Sequence, residues 1–238
     1  MEEKSSLNSN EVENFTKIIN EYIASQTSSS LSTLLSEPIR YKVMILDKRF
    51  FNPNNIKLSP DEIQMCGVRL RGKGDIHIEI CYAIKMKYAK QIAAKLLGQD
   101  EIKEIDEMGS SAIQEVANIL TGSFFNAVSS GTGFRVDLST PDYLQSDLES
   151  LVKKSAQNVI STIDSAIIAD AELVGEQSGI RIHMILAQNS NDARKILNKN
   201  GKNSTSEFSA LNNTDSYLTG GKNTELDDLI KEIQKQEN

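Results

Sequence analysis

Residues 110–122 read SSAIQEVANILTG. At about 100° per residue on a helix, Ser111, Glu115, Asn118 and Gly122 fall in one narrow stripe. Ile113, Val116, Ala117 and Leu120 gather on the opposite side, joined further on by Phe124, Ala127 and Val128. An apolar side of this width packs against a core, so the polar stripe looks outward. The helix is expected from about Ile105 to Ser130, with its stop at Gly131-Thr132-Gly133. Gly122 lies on the exposed stripe, where glycine costs roughly 1 kcal/mol in a helix interior. Letting another backbone come close is one reason to accept that cost. A solvated helix face also carries Ser, Glu and Asn, and spacing alone favours that plainer reading.

Outward from this helix the pattern is that of a globular α/β chain. The 238 residues are 39% hydrophobic and 25% charged, enough for a packed core in one large domain or two small ones. The net charge is −7 with no dense Lys/Arg cluster, which argues against a grip on nucleic acid and for protein partners. No run is long enough to span a bilayer, and MEEKSSLNSNEVENF lacks the apolar stretch of a signal peptide. Cys66 and Cys81 both sit in strand-like stretches and read as small buried residues of a cytoplasmic protein.

A polar, loose stretch is expected at 1–9, then a helix from about Glu11 to Leu35 carrying Phe15, Ile18, Ile19, Tyr22, Ile23, Leu31, Leu34 and Leu35. YKVMIL at 41–46 reads as a buried strand, followed by a loop with Pro53 and Pro60. CGVRLRGKGDIHIEICYAI at 66–84 reads as a hairpin turning at Gly72-Lys73-Gly74. YAKQIAAKLLG is a short amphipathic helix capped by Gly98. After the helix of the opening stretch, FRVDLSTP reads as a strand ending at Pro141, and 142–165 as a helix or a mobile connection. AIIADAELV, GEQSG and IRIHMILA make a second hairpin. Residues 198–223 read as a flexible linker and 224–238 as an amphipathic helix with Leu226, Leu229, Ile230 and Ile233 on one side.

The order helix, strand, hairpin thus occurs twice, at about 10–85 and 104–187, with a short helix between the copies. Two such units would pair their strands into one continuous sheet carrying both long helices on one face, within a domain spanning 10–197. The first helix has a matching stripe, Glu13, Lys17 and Asn20, opposite Phe15, Ile18, Ile19 and Tyr22. His77 and His183 lie in separate hairpins and, with the two cysteines, fit no metal-ligand spacing.

The spacing resembles that of the CheC, CheX and FliY family of chemotaxis phosphatases. That family carries Asp or Ser, three residues, Glu, two residues, Asn, then twenty-two residues and Pro. Ser111, Glu115, Asn118 and Pro141 stand at those intervals. The resemblance covers roughly 10–187 and implies a pseudo-twofold α/β fold. It also implies hydrolysis of the aspartyl phosphate on the response regulator CheY. In that chemistry Asn118 would hold a water, Glu115 would pair with a lysine of the regulator, Ser111 and Gly122 would lie in the contact, and Pro141 would be structural. No cofactor of its own is implied; the Mg²⁺ would belong to CheY. In the first copy Asn20 matches, whereas Lys17 replaces Glu and Val43 replaces Pro, so the resemblance implies one intact site and one degenerate site (Glu13, Lys17, Asn20). CheD, flagellar switch proteins and a second copy of the chain remain open as partners. The stretch NTELDDLIKEI resembles the short acidic peptide with which FliM and FliY dock phosphorylated CheY, here at the opposite end of the chain. The alternative is a non-catalytic flagellar-switch or chemotaxis adaptor of the same fold.

Overall fold

The first helix starts at a reciprocal cap. The Asn8 side chain accepts the Glu11 N–H at 2.9 Å, and the Glu11 carboxylate accepts the Asn8 N–H at 2.8 Å. This pair satisfies two backbone donors that the first turn leaves free, which is why the helix begins earlier than the apolar period alone suggests. In this computed structural model, which describes residues 7–45, 64–157 and 166–203, helix α1 spans Ser9–Tyr22 and continues through a π-helical turn, Ile23–Thr27, into α2, Ser28–Leu35. Ser36, at φ 53°, ends it in the left-handed region.

Strand β1 (Ile39–Ile45) follows, then the hairpin β2 (Met65–Gly74) and β3 (Ile78–Lys85), and helix α3 (Met86–Leu96). The second half runs α4 (Glu107–Thr132), β4 (Val136–Leu138), β5 (Asp142–Ser146), α5 (Leu148–Gln157), β6 (Ala166–Gly175), β7 (Arg181–Asn189) and α6 (Ser190–Asn203). One antiparallel sheet holds all seven strands in the order β1-β6-β7-β3-β2-β4, with β5 also on β2. The strands are exchanged between the halves. β1 pairs with β6 of the second hairpin, and β4 and β5 pair with β2 of the first. The two hairpins meet at the centre through β3 and β7. Alternation along the strands puts Val68, Leu70, Ile78, Ile80, Tyr82, Ile182, Met184 and Leu186 into the main core, with Phe15 and Ile19 of α1, Ile92 of α3, Phe124 of α4 and Ile196 of α6. All four of those helices therefore lie on one face. α5 covers part of the other face, where Leu151 packs on Met65, Cys81, Ala83, Ile168, Ile185 and Ala187.

Several expectations are corrected here. The first hairpin does not turn at Gly72-Lys73-Gly74, because β2 continues past its partner to pair Lys73 with Asp137 and Gly74 with Val136 on β4. The return strand begins at Ile78, with Asp75–His77 in the turn. The strand after α4 does not end at Pro141. Pairing with β2 resumes at Asp142, so that Leu70 and Arg71 face three residues, 139–141, instead of two. Proline has no N–H for the ladder, and the chain passes it as a bulge on an edge strand. The ambiguous 142–165 region contains β5 and α5; its last eight residues, 158–165, lie outside those described. The expected linker from 198 starts inside α6, whose Ala193 and Ile196 are buried in the core and hold the helix on to Asn203. Its remainder, the expected terminal helix 224–238, the 46–63 loop and residues 1–6 also lie outside the described residues.

Glu37, a buried carboxylate just after α2, ties the halves together. It accepts the N–H of Gln177 (2.7 Å), the N–H of Ser178 (2.8 Å) and the hydroxyl of Ser178 (2.5 Å), all in the β6–β7 turn. Burial alone would raise its pKa. The Ser178 and Gln177 donors and the charge of Lys95 outweigh that, and the carboxyl is held below its ordinary range. A depressed folded pKa stabilises the protein above the unfolded value, and the stabilisation is lost as pH falls through the folded one. Glu37→Gln is therefore expected to lower the urea midpoint at pH 7, with the gap to the parent protein narrowing below about pH 4; denaturation curves across that range test it.

Candidate functional site

Helix α4 is a rod with defined ends. The Asp106 side chain accepts the Gly109 N–H at 2.8 Å, an N-cap that satisfies a free donor of the first turn. At the other end Gly133, at φ 73°, makes the left-handed stop, and its N–H donates to Ser129 O at 2.7 Å. The roll of the rod is set from below. Thr121, buried on the core side, bonds the hydroxyl of Tyr82 on β3 at 3.0 Å, and neither side chain is exposed. Ser123 meets Ser30 of α2, oxygen to oxygen, at 2.6 Å. Phe124 stands edge-on to Tyr22 and Phe125, at 6.2 and 5.4 Å between ring centres.

With the roll fixed, Ser111, Glu115 and Asn118 are exposed and Gly122 is half-buried on the same stripe. Among the described residues, Glu115 and Asn118 make no side-chain hydrogen bond or ion pair. A Cβ added at Gly122 would meet nothing within 4 Å, so the described part of the chain does not demand glycine there. Pro141 sits apart from this row, on the edge strand at the bulge. The first-helix stripe differs in character. Lys17 Nζ lies 2.7 Å from Glu13 Oε1, an exposed pair, and Lys17 holds the Glu13 carboxyl below its usual range. Asn20 is half-buried.

The apolar floor beside the stripe was missed from the sequence. Leu96 and Leu97 at the end of α3, with Met108 and Ala112 of α4, line a groove shared with Glu107, Ser111 and Glu115. The available signal was Met108, an apolar residue off the buried side of its helix.

The remaining candidates are structural. Cys66 and Cys81 are fully buried, and desolvation pushes their thiols up to about 12 and about 11. His183 Nδ1 lies 3.0 Å from Asp170 Oδ2; burial works against its charged form, but the Asp170 contact wins and raises the pKa. His77 flanks Glu79, with Nε2 3.6 Å from its Oε1. Among the described residues no cluster of three His, Cys, Asp or Glu could hold a metal ion, and no helix is long and apolar enough to cross a membrane.

Two helix–strand–hairpin units sharing one sheet form a fold that solved structures share. The solved FliY of Thermotoga maritima matches 82% of this chain and 98% of its own at TM-score 0.64 and 17% identity. The FliM middle domain of H. pylori matches 81% and 99% at TM-score 0.53 and 14% identity. In sequence, residues 67–164 match the family described as chemotaxis phosphatase CheX. The CheY-P phosphatase CheC of Bacillus subtilis (strain 168) is 21% identical over 179 residues, 73% of this chain and 86% of that protein. The chain is thus similar to the CheX family over residues 67–164 and to CheC over most of its length, and it shares its fold with FliY.

Because Glu115 and Asn118 face solvent without partners among the described residues, Glu115→Ala and Asn118→Ala are expected to change stability by no more than about 0.5 kcal/mol. Paired thermal and urea unfolding curves measure this; a larger loss would mean that these side chains support the fold.

Proposed function

We propose that this protein hydrolyses the aspartyl phosphate of a phosphorylated CheY-type response regulator, with Asn118 positioning the attacking water and Glu115 anchoring the partner. The observation that carries the reading is the exposed Glu115–Asn118 pair, without side-chain partners among the described residues, on a helix whose ends and roll are both fixed. Similarity to the chemotaxis phosphatase CheX family and to the CheY-P phosphatase CheC supports it. Asn118 and Glu115 are three residues apart, so both reach into the same small area of a partner.

An acyl phosphate is already a reactive anhydride, so this chain need supply no nucleophile. It has to hold one water in line with phosphorus. The Asn118 amide both accepts and donates and brings no charge to repel phosphoryl oxygens. The water oxygen bonds to phosphorus as the bond from phosphorus to the aspartyl oxygen breaks. The carboxylate leaves with that electron pair, and the phosphate keeps the water's hydroxyl and takes up its second proton. A Mg²⁺ bound by the regulator would neutralise the phosphoryl oxygens. Glu115, one turn before Asn118, would pair with a cation beside the phosphate and set the depth to which the amide enters. Ser111 and Gly122 extend the contact along the helix, Gly122 by leaving room for close approach.

The test is phosphate release from phosphorylated regulator with Mg²⁺. Asn118→Ala is expected to lower kcat by roughly 100-fold or more, Glu115→Ala mainly to raise KM, and Asn20→Ala to change neither by more than about twofold, since Lys17 stands where the anchor would be. If release does not depend on Asn118, the hydrolase reading fails and a non-catalytic adaptor of the same fold takes its place.

A further inference from the structure

The groove between α3 and α4 is chemically unlike the polar stripe it adjoins. Its floor is Leu96, Leu97, Met108 and Ala112, and its rim is Ser111, Glu107 and Glu115. Met108 is 62% exposed and Leu96 38%, among the few large apolar side chains left in solvent. Neither is needed by the core, which closes beneath them on Ile92, Ala93, Ile113 and Val116. An exposed methionine at the start of a helix is a flexible, polarisable surface suited to receiving apolar groups of another molecule. The approach to the groove is acidic. The connection from α3 to α4 exposes Asp100, Glu101, Glu104, Asp106 and Glu107 against the single cation Lys103.

Position decides what occupies it. On a helix Met108 lies about 80° round the axis from Asn118, on the side of Glu115, and ten residues earlier, about 15 Å along the rod. No small phosphorylated compound seated at Asn118 reaches that far, but a protein's footprint does. Glu115 lines the groove and belongs to the stripe as well, so whatever covers one covers the edge of the other.

We propose that this groove is the docking site that selects the phosphorylated regulator: it receives an apolar side chain from the regulator's surface next to the phosphate, with basic residues around that side chain facing Glu107 and the acidic connection. The inference rests on the hydrolase reading above and names how its partner is recognised. Met108 and Leu96 are specificity-determining residues in this scheme and touch no reacting atom. Their removal weakens capture and leaves the chemical step alone.

Met108→Ser and Leu96→Ser are each expected to raise KM for phosphorylated regulator by roughly 10-fold, with kcat within about twofold of the parent. Met44→Ser, which trims a comparably exposed apolar residue on β1, is expected to leave both constants unchanged. Circular dichroism confirms that each variant folds. Binding is read separately in the Asn118→Ala background, where the Kd for phosphorylated regulator should weaken by the same factor when Met108→Ser is added. That titration keeps the groove testable even where no turnover is found, so failure of the hydrolase reading and failure of the groove are distinguishable. Unchanged KM and Kd in both groove variants overturn the proposal. So does an equal fall in kcat, which would make the residues supports of α4, and so does a homodimer, detected by light scattering, that Met108→Ser dissolves while KM stays constant.

Discussion

Neither half of this chain can complete its own sheet. β1 leaves the first helix and hydrogen-bonds to the hairpin of the second half, while β4 and β5 leave α4 and bond to the hairpin of the first. β1, β4 and β5 therefore find all their strand partners in the other half, and without it their backbone N–H and C=O groups would lack a ladder. The exchange forces the two long helices onto one face, above a core that both hairpins build. It also makes the Glu37 clamp effective, because a carboxylate at the end of the first helix meets the turn of the second hairpin. What looks like duplication in sequence is interdependence in three dimensions.

That arrangement decides what α4 can present. With the core on one side and fixed ends, the helix retains one freedom, its roll. The buried Tyr82–Thr121 bond and the packing of Phe124 remove it. An unbonded hydroxyl at either residue would leave a buried polar group unsatisfied, so the roll that pairs them is favoured over its neighbours. The same roll turns Glu115 and Asn118 to solvent. The placement of the polar row thus follows from the buried apolar face of the helix, with the Tyr82–Thr121 bond and the Phe124 contacts refining its roll.

Much of this was legible in the chain. Helical and strand periods marked α1, α3, α4 and both hairpins, and the stripe on α4 came from spacing alone. What escaped depended on partners distant in sequence. The extension of β2 to Gly74 exists because β4, some sixty residues later, pairs with it. Pro141 reads locally as a stop, yet on an edge strand it only displaces the ladder by one residue. α5 is short and half apolar, and its location follows from a patch around Cys81 and Ala83 that lies on the less covered face of strands otherwise built for the main core. The groove at Met108 was hidden for a related reason: Leu96 ends one helix and Met108 begins another, and no local period links them.

The two stripes differ chiefly in the charge beside the asparagine. Both long helices place an asparagine on the side away from the sheet. On the first, the residue three positions earlier is Lys17, already paired with Glu13, and Asn20 is half-buried. On the second, the residue three positions earlier is a carboxylate with no ion pair among the described residues, and Asn118 is exposed. A regulator whose phosphate is flanked by a cation is repelled by an ammonium at that position and attracted by a carboxylate, a difference that grows as water is excluded from the contact. The amide chemistry is the same in both. In the proposed mechanism capture differs, and an amide that never meets the phosphate positions no water. In the proposed mechanism the charge beside Asn118 therefore decides whether that amide is catalytic, and the apolar floor at Met108 is placed to decide which phosphorylated protein it serves.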